Sequence, residues 1–156
     1  MPLFLSTYLN RIDKKGRVSL PAPFRVALAE TGSEDPVLFP SFVNSAIEGW
    51  SHAQMQKLVD SIDAFDPFSD SFDDFATAVP SAARQLKLDG EGRIVLPEEF
   101  LNHSSITENA VFVGRGKTFQ IWRPETFETY AEEARARARE NRGDLRWKDQ
   151  SDGGAG

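Results

Sequence analysis

The chain has no cysteine among its 156 residues, which excludes disulfide frameworks and thiolate-held metals and suits a reducing cytoplasm. No apolar run approaches the ~20 residues that a membrane span requires. The opening Met1-Pro2-Leu3-Phe4-Leu5 lacks a basic segment, a long apolar stretch and a cleavage site, so no signal peptide is expected. His52 and His103 stand far apart and outside any ligand motif, which fits surface or capping roles. No base, nucleophile and oxyanion donor converge, so neither an enzyme nor a cofactor is expected. Asp60, Asp63, Asp66, Asp70, Asp73 and Asp74 do not fit a calcium loop with its central Gly and terminal Glu, and no metal site is expected. They read instead as a solvated acidic face.

Positive charge is also scarce, with 18 Lys and Arg against 24 Asp and Glu, for a net charge of -6. Taken alone, that balance argues against a nucleic-acid partner. Its distribution along the chain points the other way. Residues 1–30 carry a local charge of +3, and residues 31–80 a local charge of -8. A basic island in an acidic chain can still dock an anion, because local potential decides what binds.

What the sequence does contain is a repeat. Ile12-Asp13-Lys14-Lys15-Gly16-Arg17-Val18-Ser19-Leu20-Pro21-Ala22-Pro23-Phe24 returns 76 positions later as Leu88-Asp89-Gly90-Glu91-Gly92-Arg93-Ile94-Val95-Leu96-Pro97-Glu98-Glu99-Phe100. Asp, Gly, Arg, Leu, Pro and Phe recur in register, and two further apolar pairs match in kind. A duplicated unit follows.

Each copy reads as strand, turn, strand and short helix. Thr7–Ile12 and Arg84–Leu88 are the first strands, with turns at 13–16 and 89–92. Arg17–Leu20 and Arg93–Leu96 are the second strands, each with its apolar residues on one face and its Arg on the other. Short helices follow at Pro23–Leu28 and Glu98–Asn102. Val37–Phe39 and Ala46–Trp50 close the first unit, as Val111–Val113 and Phe119–Trp122 close the second. Gly114-Arg115-Gly116-Lys117 lacks the Walker spacing and is a hairpin turn. Between the copies lie two helices. One is capped by Ser51 with Gln54 three residues on, and the other starts at Asp66-Pro67. Phe68, Phe72 and Phe75 form a stripe expected in the core. A last helix opens at Pro124 with Phe127, Tyr130, Ala131, Ala134 and Ala138 inward. Its arginines, from Arg135 to Arg142, read as a solvated face.

One hairpin alone is marginal in water. Two copies related by a pseudo-twofold axis can interlace strands into a small β-barrel and bury Val18, Leu20, Ile94 and Leu96 together. The expected fold is α+β, two tandem pseudo-symmetric units forming an interlaced β-barrel with flanking helices. The expected divisions are 1–80, with the acidic two-helix insertion, 81–142, with the C-terminal helix, and 143–156 as a disordered tail.

The paired Asp-x-x-Gly-Arg turns, each followed by Leu-Pro-x-x-Phe and later by Trp50 or Trp122, resemble the MraZ family over about residues 3–140. That family belongs to the swapped-hairpin DNA-binding class typified by AbrB. The resemblance implies a cytoplasmic, nucleoid-associated transcriptional regulator that assembles as a homo-oligomeric ring. It further implies double-stranded DNA as partner, in short direct repeats upstream of a bacterial division and cell-wall gene cluster. Carried onto this sequence, the motif lands on Asp13, Lys15, Arg17, Asp89 and Arg93.

Arg17 and Arg93 are the expected base or phosphate readers, since the guanidinium fork binds either bidentately. Arg11, Lys14 and Lys15 add phosphate contacts. Asp13 and Asp89 either hold the loops or pair the arginines, and Gly16 and Gly92 shape the turns. The second turn departs from the first, with Gly90 and Glu91 in place of two lysines. The first turn is therefore expected to supply most of the charge. A protein-interaction module, antidote or assembly scaffold, using the same barrel is the competing reading. The basic turn favours DNA, since an antidote needs none.

Overall fold

Strands β1 (Thr7–Arg11) and β2 (Arg17–Ser19) are joined by a turn that only glycine closes without strain. Gly16 sits at φ +81°, and its counterpart Gly92 at φ +77° before β6 (Arg93–Val95). Both lie in the left-handed region that disfavours a side chain. A Cβ on Gly16 would also approach the Leu96 carbonyl oxygen to 3.0 Å.

The computed structural model describes residues 2–147. These fall into two compact units, one ending at Pro124 and the other beginning at Glu125. In the first, β2 pairs antiparallel with β6, matching Arg17 with Val95, Val18 with Ile94 and Ser19 with Arg93. Two further bonds extend the pairing symmetrically, Leu20 N to Gly92 O at 3.0 Å and Leu96 N to Gly16 O at 2.8 Å. Val18 and Ile94 are 1% exposed, whereas Val95 on the opposite face is 53% exposed. Burying each such aliphatic side chain contributes ~1.5–3 kcal/mol, against ~1 kcal/mol net for a backbone bond. The apolar face therefore holds this ribbon.

The remaining strands are β3 (Val37–Pro40), β4 (Ile47–Trp50), β5 (Arg84–Gln85), β7 (Asn109–Gly114) and β8 (Phe119–Trp122). With β1 they form one six-stranded sheet in the order β1-β7-β8-β4-β3-β5. That order maps onto itself when the two repeats are exchanged. The first strand of each repeat pairs with the hairpin of the other, β1 on β7 and β5 on β3. The dyad passes between β4 and β8, where Glu48 faces Gln120. Gln120 Nε2 donates to Glu48 Oε2 at 2.6 Å, and Trp50 and Trp122 each donate an indole N–H to the member on their own strand.

The expected closed barrel is not what forms. The sheet is open, with β1 and β5 as its edges. The strands that would close it, β2 and β6, form a ladder with one another in a separate two-stranded sheet, and β1 reaches it through Asn10 Nδ2, which donates to Ser19 O at 2.7 Å. The expected strand over 84–88 shrinks to Arg84–Gln85: Leu86 N still follows the register to Pro36 O, but proline has no N–H to return, and Leu88 N bonds to the Asp35 carboxylate.

Helix α1 (Ala22–Ala29) starts after Pro21, and α4 (Glu98–Ser104) after Pro97, where proline has no N–H to leave unpaired. Phe24 of α1 is fully buried among the rings of Phe4, Tyr8, Phe112 and Phe119. Helix α2 (His52–Asp63) is capped by Ser51 as the sequence indicates, its Oγ accepting from Gln54 N at 3.1 Å. Helix α3 (Asp70–Ala78) begins later than expected, at a Ser69 cap. The Asp66 carboxylate instead accepts from Phe68 N, which fixes a turn before the helix. That displacement leaves Phe68 96% exposed, outside the core assigned to it. Phe72 and Phe75 are half-buried against a second cluster around Phe39, Met55, Ile62 and Val79.

The second unit holds helix α5 (Pro124–Glu140) from Glu125 on, followed by a short 3-10 turn at Arg142–Asp144. Ala131 is buried, whereas Ala138, expected to face inward, is exposed. The Arg137 guanidinium lies 5.8 Å from the Tyr130 ring centroid. The tail expected to be disordered lies, from residue 148 on, outside the described residues.

Strand exchange between the repeats dictates cooperative folding of residues up to Pro124. A chain truncated after Pro80 would leave β1 without β7 and β2 without β6. It is expected to aggregate, exposing Val18 and Leu20. A soluble monomer with sharp side-chain NMR signals would contradict this pairing scheme.

Candidate nucleic-acid interface

The two Asp-x-x-Gly-Arg turns are built alike, atom for atom. Asp13 Oδ1 accepts from Lys15 N and Arg17 N, both at 2.9 Å, and Oδ2 accepts from Arg17 Nε at 2.6 Å. Asp89 Oδ1 accepts from Glu91 N at 2.8 Å and Arg93 N at 2.9 Å, and Oδ2 accepts from Arg93 Nε at 2.9 Å. Each carboxylate thus ties the loop and orients the arginine at once. The loop role and the ion-pair role are not alternatives.

The pairing uses Nε alone. Among the described residues, no hydrogen bond or ion pair engages the Nη atoms of Arg17, so its terminal edge stays open to a second, bidentate partner. Arg93 differs, since its Nη2 lies 3.6 Å from Glu91 Oε2. Both arginines project from the solvent face of the β2–β6 ribbon, opposite Val18 and Ile94. Lys14 and Lys15 are exposed at the first tip, and Arg11 is exposed at the end of β1. Arg11, Lys14, Thr107 and Glu108 line one shallow groove with Ile12 and Asp13.

Electrostatics follow the geometry. Asp13 is held below the ordinary carboxylate value, chiefly by the Arg17 backbone N–H and then by its side chain. Asp89 is lowered in the same way, first by the Arg93 backbone N–H. Arg93 is raised, mainly by its hydrogen bond to Asp89, with Glu91 and Asp13 adding charge.

One cation was missed by the sequence reading, which gave Arg25 no role. Its guanidinium packs against Gly92, where an added Cβ would come within 2.8 Å of Arg25 Cζ. It shares a groove with Glu34, Leu88, Asp89 and Gly90. The second tip lacks lysines of its own and receives this charge from the helix of the first repeat. The available signal was a break in the repeat, since the position matching Arg25 is Leu101.

The same duplication marks a known group of proteins. The family described as "MraZ protein, putative antitoxin-like" matches residues 3–75 and 80–147, one match on each repeat. The chain belongs to the MraZ family. It is 47% identical over 146 residues to a protein of Pelagibacter ubique named transcriptional regulator MraZ, covering 94% of both chains. A protein of the same name from Gluconobacter oxydans is 44% identical over 142 residues, covering 89% of this chain and 87% of its own. Another, from Rickettsia rickettsii, is 42% identical over 146 residues, covering 94% and 98%. Among the described residues, no helix is long and apolar enough to cross a membrane.

The lowered carboxylates of this MraZ chain set a pH dependence. Stabilisation from such a group is complete above its unfolded value, near 3.8 here, and disappears as the pH falls through the lower folded value. Asp13→Asn and Asp89→Asn should therefore be less stable than wild type at neutral pH. The gap should close as the pH falls below the lowered folded values, where both carboxylates are protonated. Urea midpoints followed by circular dichroism test this; an unchanged gap at the acid end would refute it.

Proposed function

We propose that this MraZ protein is a DNA-binding transcriptional regulator of the AbrB-like swapped-hairpin class. The observation that carries the reading is the ribbon face, where two carboxylate-oriented arginines flank one surface with an open Nη edge on Arg17. A two-stranded ribbon fits the major groove, and an arginine edge matches O6 and N7 of guanine. In this reading Arg17 and Arg93 contact bases or phosphates, and Arg11, Lys14 and Lys15 position the backbone. Asp13, Gly16, Asp89 and Gly92 maintain the turns. The family resemblance supports short direct repeats upstream of a division and cell-wall gene cluster as the target, bound in the cytoplasm at the nucleoid.

Repeated sites call for repeated protomers, because linkage raises the effective concentration of each weak reader. We propose a homo-oligomeric ring. Edge strand β1 suits such a contact, since Leu9 is 63% exposed on a strand with one unpaired side. Light scattering at micromolar concentration should return a multiple of 17.4 kDa greater than two, and a monomer mass would remove the ring.

One observation favours a second reading, the protein-interaction module. Phe42 and Phe65, both exposed, pack their rings on Phe75 at 5.7 and 5.8 Å, beside the acidic helices α2 and α3. That surface suits a protein better than a phosphate backbone. Partner binding insensitive to salt would support it over DNA.

Variants separate the DNA contacts. Arg17→Ala should weaken operator binding by about 1–3 kcal/mol per site. Arg93→Ala should cost less, because Glu91 already draws on its charge. Lys14→Ala and Lys15→Ala should weaken all sequences alike and reduce the salt slope by about one per lost contact. Arg139→Ala should do neither. Gel shifts with DNA from upstream of the protein's own gene decide it. Tight binding by Arg17→Ala with loss in Arg139→Ala would move the DNA surface to α5.

A further inference from the structure

The ribbon face is symmetric in its arginines and asymmetric in their neighbours. Arg17 stands directly opposite Val95, and Arg93 directly opposite Ser19. Ser19 and Val95 are the same position of the two repeats, one polar and one apolar. Val95 is 53% exposed, although its strand neighbour Ile94 is buried. The dyad therefore relates an Arg–Val pair to an Arg–Ser pair. Their other surroundings diverge in the same sense. Arg17 has Lys14 and Lys15 in its turn and an open Nη edge, whereas Arg93 has Glu91 close to its Nη2.

We infer that Val95 is a specificity-determining residue that contacts the C5-methyl group of a thymine beside the guanine read by Arg17, so that the two halves of the ribbon read different base steps. This rests on the DNA reading above and deepens it. Directly opposed side chains in an antiparallel ribbon have Cβ atoms about 5 Å apart, close enough to serve neighbouring base pairs. In the major groove, thymine alone presents a methyl group, and an apolar side chain is the complement it takes. A valine there favours guanine next to thymine at one half of the site. Ser19 at the other half offers a hydroxyl that accepts or donates, so it tolerates several bases. A reader of this kind gives its site a direction, and direction is what head-to-tail repeats have and palindromes lack.

The test uses the full chain and duplexes it enriches from a randomised library. Each thymine of the enriched duplex is replaced in turn by deoxyuridine, which removes only the methyl group. One replacement, beside a guanine, should weaken wild-type binding about fourfold, the effect of one buried methyl-sized group. Val95→Ser should bind the thymine and uracil duplexes equally. The exchange variant Ser19→Val with Val95→Ser should move the methyl-sensitive position to the other side of the dyad. Both variants place an exposed side chain where the sister repeat already carries it, and circular dichroism verifies the fold. Equal wild-type affinity for thymine and uracil at every position overturns the inference while leaving the DNA reading intact. So does methyl sensitivity that survives in Val95→Ser. Failure to enrich any sequence overturns the DNA reading and this inference together.

Discussion

Among the described residues, strands β2 and β6 form a ladder with each other and with no other strand, and that constraint orders much of the chain up to Pro124. Three residues in a two-stranded ribbon cannot persist in water. They persist here because Val18 and Ile94 are pressed into a core whose walls come from both repeats. Phe24 arrives from the first repeat, Phe100, Phe112 and Phe119 from the second, and all four are buried in the same cluster. Neither repeat can bury its own ribbon strand alone. The exchange of β1 and β5 onto the opposite hairpins follows the same logic.

With one face sealed, the other is free to carry charge. Desolvation would penalise an arginine on the Val18 face, but Arg17 lies on the solvent side with its Asp partner also exposed. An exposed ion pair of this sort contributes little to stability. Its effect is on geometry. Holding Nε fixes the guanidinium plane and reduces the rotamer freedom lost when the Nη edge meets a ligand. The carboxylate is therefore compatible with an anionic partner, although charge alone would set it against one.

The repeat made the ribbon legible, because Asp, Gly, Arg and Leu recur in register and each has a local reason to be there. Alternation placed Val18 inward and Arg17 outward, and Ser51 with Gln54 marked the start of α2. What could not be read locally was closure. Whether eight short strands form a barrel or an open sheet depends on pairings at the rims, where Pro36 has no N–H to continue the ladder past Leu86 and Leu88 N bonds to the Asp35 side chain. Phe68 failed for a different reason. Its helical spacing to Phe72 is real in sequence, but the Asp66 side chain caps a turn there and Ser69 takes the N-cap. Arg25 was invisible because its contact is across the dyad, with Gly92 of the other repeat.

Fusing two copies into one chain also permits what identical subunits cannot have. On the axis between β4 and β8, exact symmetry would set like against like, and two facing glutamates would repel. The chain carries Glu48 against Gln120, so one carboxylate accepts from an amide at 2.6 Å and from the Trp50 indole at 3.2 Å. Arg115 completes the network by donating to Gln120 Oε1 at 2.7 Å. The buried amide is satisfied without a buried like-charge pair. The same freedom separates Lys15 from Glu91 and Ser19 from Val95 on the ribbon. Symmetry supplies the frame and its breaking supplies direction, and a surface with direction can distinguish the two ends of its site.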